Sequence, residues 1–410
     1  MLNVLWIGFF AIAFVAAVLQ YLGGDAAIFG AVMKAAFDSA KTAFEVALGL
    51  TGVMCLWLGV MKVGERAGFL DLVGRGLGPL FARLFPDVPR GHPALGSITM
   101  NMSANVLGLD NAATPMGLKA MKELQDLNPD KDTASNAQIL FLVLNASSVT
   151  LLPVTIFTYR AQLGAADPTD VFIPILMATY ASTLAGFLFV ASVQRIRLDA
   201  VVLAWLAGVT AVVGGLAWHF SRMPAAEMTA SSSTLSNFLL LALVLVFLLG
   251  AAWKRVNAYE AFIDGAKEGF QTAVTIIPYL VAMLVAIGML RASGALPAFV
   301  EAVRGAVAAL GFDTAWVDAL PTMLMKPLSG SGARAMMVET MQAQGADSFA
   351  GRLASIVQGS TETTFYVLAV YFGAVGIKRV RHAVAGGLVA DAAGFAAAVA
   401  AGYLFFAHVA

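Results

Sequence analysis

Cysteine and charge are both scarce in this sequence. Cys55 is the single cysteine among 410 residues, which excludes an intramolecular disulfide bond and a cysteine metal cluster. Charged residues make up only 12% of the chain, and 25 basic residues balance 25 acidic ones. The net charge of zero therefore argues against nucleic acid or another polyanion as a partner.

Motifs for nucleotide binding and hydrolysis are also missing. The sequence has no G-x-x-x-x-G-K-[ST] loop, no H-E-x-x-H and no G-x-S-x-G. No pair of nucleophile and base stands out either, so an intramembrane hydrolase is a distant third interpretation. We expect a protein that is not an enzyme and that needs a second protein for any ATP-driven step.

Apolar residues are abundant instead. They form 60% of the chain, and the mean hydropathy is +0.82, values typical of an integral membrane protein surrounded by a lipid bilayer. Nine stretches are close to the roughly 20 residues that a crossing helix needs. The predicted spans are 2–22, 45–62, 136–159, 171–194, 200–220, 234–252, 271–291, 352–372 and 382–408. No basic residue precedes the first span, so we expect a retained helix rather than a cleaved signal peptide.

Two further apolar stretches are interrupted by polar residues and glycine. Residues 93–118 contain Asn101-Met-Ser-Ala-Asn105, and residues 315–340 contain Lys326-Pro-Leu-Ser-Gly-Ser-Gly-Ala-Arg334. Such stretches predict re-entrant hairpins, which enter and leave the membrane on the same side. A short amphipathic segment precedes each hairpin and is expected to lie along the membrane interface. These two segments are residues 69–85 and 297–310.

The stretch Gln358-Gly-Ser-Thr-Glu-Thr-Thr-Phe-Tyr366 is polar in the middle of an apolar span. Its polar side chains would point in all directions around a helix, so the pattern is not amphipathic. A carboxylate in mid-membrane costs roughly 2.5–3.5 kcal/mol on insertion scales and is tolerated where protein or water surrounds it. We predict a broken helix that lines a cavity containing Glu362.

The chain contains an internal repeat. Residues 38–68 align without a gap on residues 264–294 and share the pattern D-x-A-K-x-x-F. Asn145-Ala-Ser-Ser-Val-Thr150 falls on residues 358–363, so the first half is also expected to contain a broken helix, kinked at Pro153. A polar stretch between the copies is predicted to be a loop. The predicted division is a first repeat at 1–220, a linker loop at 221–236 and a second repeat at 237–410.

The basic residues indicate that the two copies are inverted. With the N-terminus in the cytoplasm, 16 of the 25 basic residues lie in inside segments and six lie outside. The predicted fold class is an all-α integral membrane protein with two inverted-topology repeats, each with an interfacial helix, a re-entrant hairpin and a broken transmembrane helix. We expect a multi-pass protein of the cytoplasmic (inner) membrane with its N-terminus in the cytoplasm.

The interrupted stretches also carry a family resemblance. Asn101-Met-Ser-Ala-Asn-Val-Leu-Gly-Leu-Asp-Asn-Ala-Ala-Thr-Pro115 resembles the signature of spore maturation protein A, in the first half of the chain. Pro327-Leu-Ser-Gly-Ser-Gly-Ala-Arg334 and the stretch from Gln358 to Phe372 resemble spore maturation protein B, in the second half. The resemblance covers nearly the whole chain, which therefore looks like a fusion of the two.

That family belongs to the nucleoside-recognition gate group, which also includes the concentrative nucleoside transporters. The resemblance implies an inner-membrane protein of transport type, with a nucleoside as the leading substrate. It further implies that a carboxylate in the second broken helix, here Glu362, meets a ribose.

Polar residues of the hairpins and broken helices are the candidate site. Neutral amides and hydroxyls suit a polar ligand or a sodium ion, and a cation beside a Ser-Gly turn suits an anion. The predicted substrate-binding residues are Asn101, Ser103, Asn105, Asn111, Thr114, Asn145, Ser148, Ser329, Ser331, Arg334, Gln358, Thr361 and Glu362. The predicted ion-coupling residues, for sodium or a proton, are Glu362, Asp110 and Asp391. We expect no resident cofactor or metal.

Each assignment has a structural alternative. Glu362 could serve only as a partner for Arg334 or Lys326, and these cations could instead neutralise Glu339 or Asp318. The hairpin amides could satisfy only their own backbone.

We predict a secondary transporter that moves a small polar solute by alternating access, a nucleoside first and an amino acid or small anion next. The alternative is a non-transporting membrane scaffold in a spore or envelope maturation pathway. The sequence leaves homo-oligomerisation open.

Overall fold

The computed structural model describes residues 2–108, 110–147, 150 and 152–407, and its secondary structure elements are helices. The helices of the first half are α1 Leu2–Leu22, α2 Ile28–Arg66, α3 Phe69–Leu84, α4 Pro93–Val106, α5 Asp110–Leu127, α6 Asn136–Ser147, α7 Val154–Gln162, α8 Phe172–Gln194 and α9 Ala200–Ser221. Those of the second half are α10 Ala225–Trp253, α11 Ala258–Ala292, α12 Ala295–Ala309, a 3₁₀ helix Ala315–Ala319, α13 Leu320–Met325, α14 Gly330–Gln344, α15 Phe349–Ser360, α16 Thr364–Gly373 and α17 Ala383–Phe406. The predicted all-α class is confirmed over this part of the chain.

Seven helices of the described residues are long and apolar enough to cross a membrane, namely α1, α2, α8, α9, α10, α11 and α17. Each of the two remaining predicted spans is divided between two shorter helices, α6 with α7 and α15 with α16. The prediction of a multi-pass membrane protein is therefore confirmed, and two of its spans are interrupted where the polar stretches lie.

The same order of helices occurs in both halves. A long helix (α2 or α11) is followed by a short amphipathic helix (α3 or α12) and then by a pair of contacting helices (α4 and α5, or α13 and α14). A broken helix (α6 and α7, or α15 and α16) and a final span (α8 or α17) complete each set. α6 is the central helix of its set, because every residue from Ala137 to Ser147 is buried.

The long helices α2 and α11 pack against each other in opposite directions. Near the end of α2, Lys62 Nζ lies 3.2 Å from Glu268 Oε1, whereas nearer its start Ser39 packs against Gly288. Between these points a Cβ on Gly269 would lie only 2.7 Å from the carbonyl oxygen of Met54. The two helix backbones are therefore in direct contact, which only glycine permits.

Two groups of charged residues join the halves. The buried ion cluster is defined as Arg160, Asp170, Asp347 and Arg352, and lies beside the first residues of α8 and α15. Arg160 donates to Asp170 over 2.8 Å and to Asp347 over 3.2 Å, and Arg352 donates to Asp170 over 2.8 Å. Arg160 and Asp170 are 0% and 2% exposed, so the charges of this cluster are compensated mainly by one another.

The exposed ion cluster is defined as Asp130, Asp132, Lys378 and Arg379. Arg379 donates to Asp130 over 3.0 Å and Lys378 donates to Asp132 over 3.2 Å. Arg379 is 67% exposed at its side chain, so water screens this cluster.

The two clusters lie at opposite ends of α8 and α17. Gln194, the last residue of α8, donates to the carbonyl of Asn136 beside the exposed ion cluster. α17 begins at that end and finishes with Phe406 beneath the Arg352 guanidinium of the buried ion cluster. α8 and α17 are therefore antiparallel, and the 23 residues of α8 separate the clusters by about 34 Å.

The predicted loop conformation of residues 221–236 is wrong. α9 ends at Ser221, and α10 runs from Ala225 through the rest of this stretch, so the turn shrinks to residues 222–224. Hydroxyl side chains that favour a loop instead donate to helix carbonyls one turn earlier, as Ser236 does to Ser232 over 2.8 Å. The division of the chain at this point stays a prediction.

Candidate functional site

The helix pairs α4–α5 and α13–α14, called the two helix hairpins, and both broken helices meet around one cavity of about 270 Å³. This volume lies just below the range of about 300–1,000 Å³ that is usual for small-molecule sites. The lining residues come from α4 through α7 in the first half and from Lys326 through α16 in the second. The elements predicted to form the site are thus the elements that surround the cavity.

Backbone hydrogen bonds hold the second break against its neighbours. α15 ends at Ser360 and α16 begins at Thr364. Between them, the amide of Glu362 donates to the carbonyl of Ala146 in α6 over 2.7 Å. The amide of Phe365 donates to the carbonyl of Pro327 over 2.9 Å. These bonds satisfy backbone groups that the break exposes, and they fix the Glu362 backbone beside the first half.

Glycine lets the hairpin tips approach the breaks. Gly108 has a φ of +70°, and a Cβ there would lie 2.8 Å from the carbonyl oxygen of Leu152. A Cβ on Gly330, at the tip of the second hairpin, would lie 2.8 Å from Thr363 Oγ1. A larger residue at either position would push a hairpin tip away from the wall of the cavity.

A carboxylate and a guanidinium line the cavity. Glu362 is exposed and lies next to Thr363, the N-cap of α16, where the helix dipole favours a negative charge. The Arg334 guanidinium carbon lies 5.9 Å from the centroid of the Tyr159 ring, within the range of a cation–π contact. Arg334 Nε is buried and has no hydrogen-bond partner within the described part of the chain. Arg334 is therefore able to donate to a ligand.

Amide side chains and a phenol connect the halves on another wall. Asn105 Nδ2 donates to Asn145 Oδ1 over 2.9 Å, and the Tyr371 hydroxyl donates to the same oxygen over 3.4 Å. Gln358, the counterpart of Asn145 in the repeat, is buried, and its Oε1 has no partner among residues with described positions. An unpaired buried amide oxygen is costly, so Gln358 is a candidate acceptor for a ligand donor.

The predicted site residues divide into two groups. Seven of them line the cavity: Asn105, Thr114, Asn145, Arg334, Gln358, Thr361 and Glu362. Four others bond within the hairpins and are absent from the lining: Asn101, Ser103, Ser329 and Ser331. Asn101 donates to the carbonyl of Ala113, for example, and Ser329 caps α14 by accepting from the Gly332 amide. A role for these four in ligand binding stays a prediction.

Three predicted residues cannot be placed. Ser148 lies outside the described residues, as do the side chains of Asp110 and Asn111. Asp391 is described; it is buried in α17, does not line the cavity and accepts from Thr364 Oγ1 over 2.7 Å.

Two acidic residues weighed as partners for the cavity cations pair elsewhere. Asp318 accepts from Arg304 over 2.6 Å, and Glu339 forms an ion pair with Arg291. Lys326, which is 3% exposed, lines the cavity with Arg334.

The sequence prediction misses three tyrosines that line the cavity. They are Tyr159 in α7 and Tyr366 and Tyr371 in α16. Lining positions in α16 are 366, 367, 370 and 371, and those in α7 include 155, 156 and 159, which is the spacing of one helix face. The sequence does contain a signal for them: residues three or four positions apart after each break lie on the helix face that lines the cavity.

Comparison with known proteins identifies the same segments. The family described as "Gate: Nucleoside recognition" matches residues 47–163 and 273–378, which contain both hairpins and both broken helices. Spore maturation protein A of Bacillus subtilis (strain 168) is 38% identical over 188 residues, which are 46% of this chain and 93% of that protein. Spore maturation protein B of the same organism is 45% identical over 167 residues, 40% of this chain and 92% of that protein. Each relative is matched almost entirely by less than half of this chain, as a fusion of the two would be.

Proposed function

The chain belongs to the nucleoside-recognition Gate family, and on that premise we propose that it is a secondary transporter of a small polar solute. One observation carries the proposal: a hairpin and a broken helix from each half surround a cavity that contains Glu362 and Arg334. Transporters built from repeats bind their substrates at such an interface, with broken helices around the ligand.

The two halves are proposed to be inverted repeats with re-entrant hairpins. Two pairs of helices with equivalent places in the repeat, α2 with α11 and α8 with α17, run antiparallel, which supports this topology. A pseudo-two-fold axis in the membrane plane relates elements in this way. In the proposed orientation the N-terminus is cytoplasmic, the exposed ion cluster lies on the cytoplasmic face and the buried ion cluster lies on the opposite face.

The two ion clusters are proposed to act as the gates of alternating access. The buried ion cluster joins the α7–α8 connection to the α14–α15 connection. The exposed ion cluster joins the α16–α17 connection to the α5–α6 connection, which is the same pair of connections with the halves exchanged. Because Arg160 and Asp170 are buried in one cluster while the other cluster is screened by water, we propose that this conformation is closed on the face opposite the cytoplasm.

A nucleoside is the solute that the lining suits best. The exposed ring of Tyr366 offers a surface on which a base can stack, and the amide of Gln358 can bond the edge of a base. Glu362 can accept hydrogen bonds from ribose hydroxyls. Arg334 would also hold a carboxylate, so amino acids and small organic anions are the next candidates.

Ligand binding tests the proposal. The purified protein in detergent is screened by thermal shift against nucleosides, amino acids and small organic anions. A ligand at about 100 times its dissociation constant adds about 2.7 kcal/mol to the free energy of unfolding, which is a measurable shift. Glu362→Gln should abolish the ligand-dependent shift without lowering the melting temperature of the free protein. Glu301→Gln is the control, because Glu301 is 74% exposed on α12, is not among the cavity-lining residues, and should respond like the parent.

The opposite outcome would favour a different function. If no class of solute shifts the melting temperature and Glu362→Gln is as stable as the parent, the cavity has no transport role. A non-transporting membrane scaffold then becomes the better hypothesis, since both relatives are named for spore maturation.

A further inference from the structure

Three buried oxygen atoms that find no hydrogen-bond partner among the described residues lie on three different elements near the cavity. They are Asp391 Oδ1 in α17, Thr361 Oγ1 at the end of α15 and Ser182 Oγ in α8. Their residues are 2%, 3% and 0% exposed. A buried oxygen is normally hydrogen-bonded, so three together indicate a ligand that brings positive charge or donors.

Close packing around Gly394 brings the three residues together. Gly394 follows Asp391 by one turn of α17, and a Cβ on it would lie 2.7 Å from Thr361 Cγ2 and 3.4 Å from Ser182 Oγ. The Thr361 hydroxyl is also a hydrogen-bonding neighbour of the Asp391 carboxylate, although neither Thr361 Oγ1 nor Asp391 Oδ1 forms a hydrogen bond of full geometry within the described part of the chain. The other carboxylate oxygen accepts from Thr364 Oγ1 over 2.7 Å, which orients the group and leaves Oδ1 unpaired.

The end of α15 adds a negative potential at this place. Thr361 is the C-cap of the helix, and the last carbonyls of a helix lack intrahelical donors and carry a partial negative charge. The next amide, that of Glu362, donates to Ala146 instead of closing the last turn of α15. Helix C-termini and unwound carbonyls of this kind coordinate cations in transporters.

Charged side chains of the cavity act on Asp391 with opposite signs. Lys326 attracts its carboxylate and Glu362 repels it.

We propose that Asp391, Thr361 and Ser182 form a binding site for a sodium ion. Sodium is a hard cation, and carboxylate, hydroxyl and carbonyl oxygens are the ligands that such ions prefer. One carboxylate among neutral oxygens matches a single positive charge, whereas a divalent ion would leave an uncompensated charge in a buried place.

Bound sodium has a consequence for the cavity, and this part of the inference rests on the proposed transport function. Thr361 belongs both to the oxygen cluster and to the cavity lining. An ion held by Thr361 fixes the break between α15 and α16, and with it the placement of Gln358 and Glu362 for the solute. Sodium binding and solute binding are then linked.

Sodium binding is measurable without any solute, which separates this test from the test of transport. The full-length protein, purified without sodium, is melted in sodium, potassium and choline chloride at equal ionic strength. We expect a saturable rise of the melting temperature in sodium and none in the other two salts. Asp391→Asn and Ser182→Ala should each weaken the apparent sodium affinity by about tenfold or more. The matched control is Ser232→Ala, which removes another buried unpaired hydroxyl, in α10, and should keep the sodium response.

Three outcomes would overturn the assignment. One is a melting temperature that responds equally to the three cations. Another is a sodium response that survives in Asp391→Asn, or in Ser182→Ala if the first variant does not fold. The third is stabilisation that varies with pH but not with sodium, because the site would then bind a proton. Solute binding that persists beside any of these outcomes leaves the transport proposal standing.

Discussion

Loss of Arg160 should damage the fold more than loss of any exposed charge. Its guanidinium is 0% exposed and donates to Asp170, to Asp347 and, over 2.7 Å, to the carbonyl of Ala346. Arg160→Met keeps an apolar stem of similar length but removes every one of these bonds. Asp170, itself 2% exposed, then keeps only Arg352 as a charged partner at 2.8 Å.

The size of the effect follows from that remaining partner. Removing one member of a buried ion pair costs roughly 3–5 kcal/mol, because the other member is left buried and uncompensated. Arg352 still compensates Asp170, so we expect a loss near the lower end, about 3 kcal/mol in the free energy of unfolding. The matched control is Arg379→Met in the exposed ion cluster, where the pair is solvated and little stability should be lost.

Equilibrium unfolding in mixed micelles, followed by tryptophan fluorescence, measures both variants under one condition. Adding Asp170→Leu to Arg160→Met should recover part of the loss, since the buried carboxylate that lost one of its two cationic partners is then removed as well. Equal losses of stability in Arg160→Met and Arg379→Met would refute the distinction between the buried and the exposed ion cluster. No loss in Arg160→Met would refute the role of the buried ion cluster altogether.

Two further substitutions probe the helix contacts and the response to acid. Gly269→Val should destabilise the protein by about 1–3 kcal/mol in the same assay, because a Cβ there would lie 2.7 Å from the Met54 carbonyl oxygen; unchanged stability would contradict the direct contact of α2 and α11. The pKa of Asp199, before α9, is held below its usual value because the Val202 amide and the Arg83 guanidinium bond its carboxylate. This contribution to stability is complete above a pH of about 3.9 and is lost as the pH falls through the lower folded pKa. Asp199→Asn should therefore flatten the acid side of the curve of melting temperature against pH, and an identical curve would show that the carboxylate adds nothing.

The broken helices were predictable from the sequence because polarity all round a helix is incompatible with lipid. The stretch from Gln358 to Tyr366 therefore predicts a break in the helix whatever its neighbours are, and α15 does end at Ser360. The same reasoning failed for the stretch from 221 to 236. Serine and threonine there can bond to the carbonyls of their own helix, so polarity alone does not distinguish a loop from a helix.

Long-range packing decided what the sequence did not reveal. Tyr366 and Tyr371 line the cavity because of the rotation of α16 about its axis, which neighbouring helices set. Arg160 counts in the sequence as an outside basic residue, yet it is buried, because Asp347 and Ala346 of the other half supply partners for it. No local pattern contains that pairing.

Uptake into proteoliposomes tests the central claim most directly. The reconstituted protein is loaded with an unlabelled nucleoside and given the same nucleoside, uridine or adenosine, in radiolabelled form outside, with amino acids tested in parallel. We expect saturable exchange with the parent and with Glu301→Gln, and none with Glu362→Gln at equal protein content. Accumulation no greater than in empty liposomes, for every solute that binds the purified protein, would contradict a transport function.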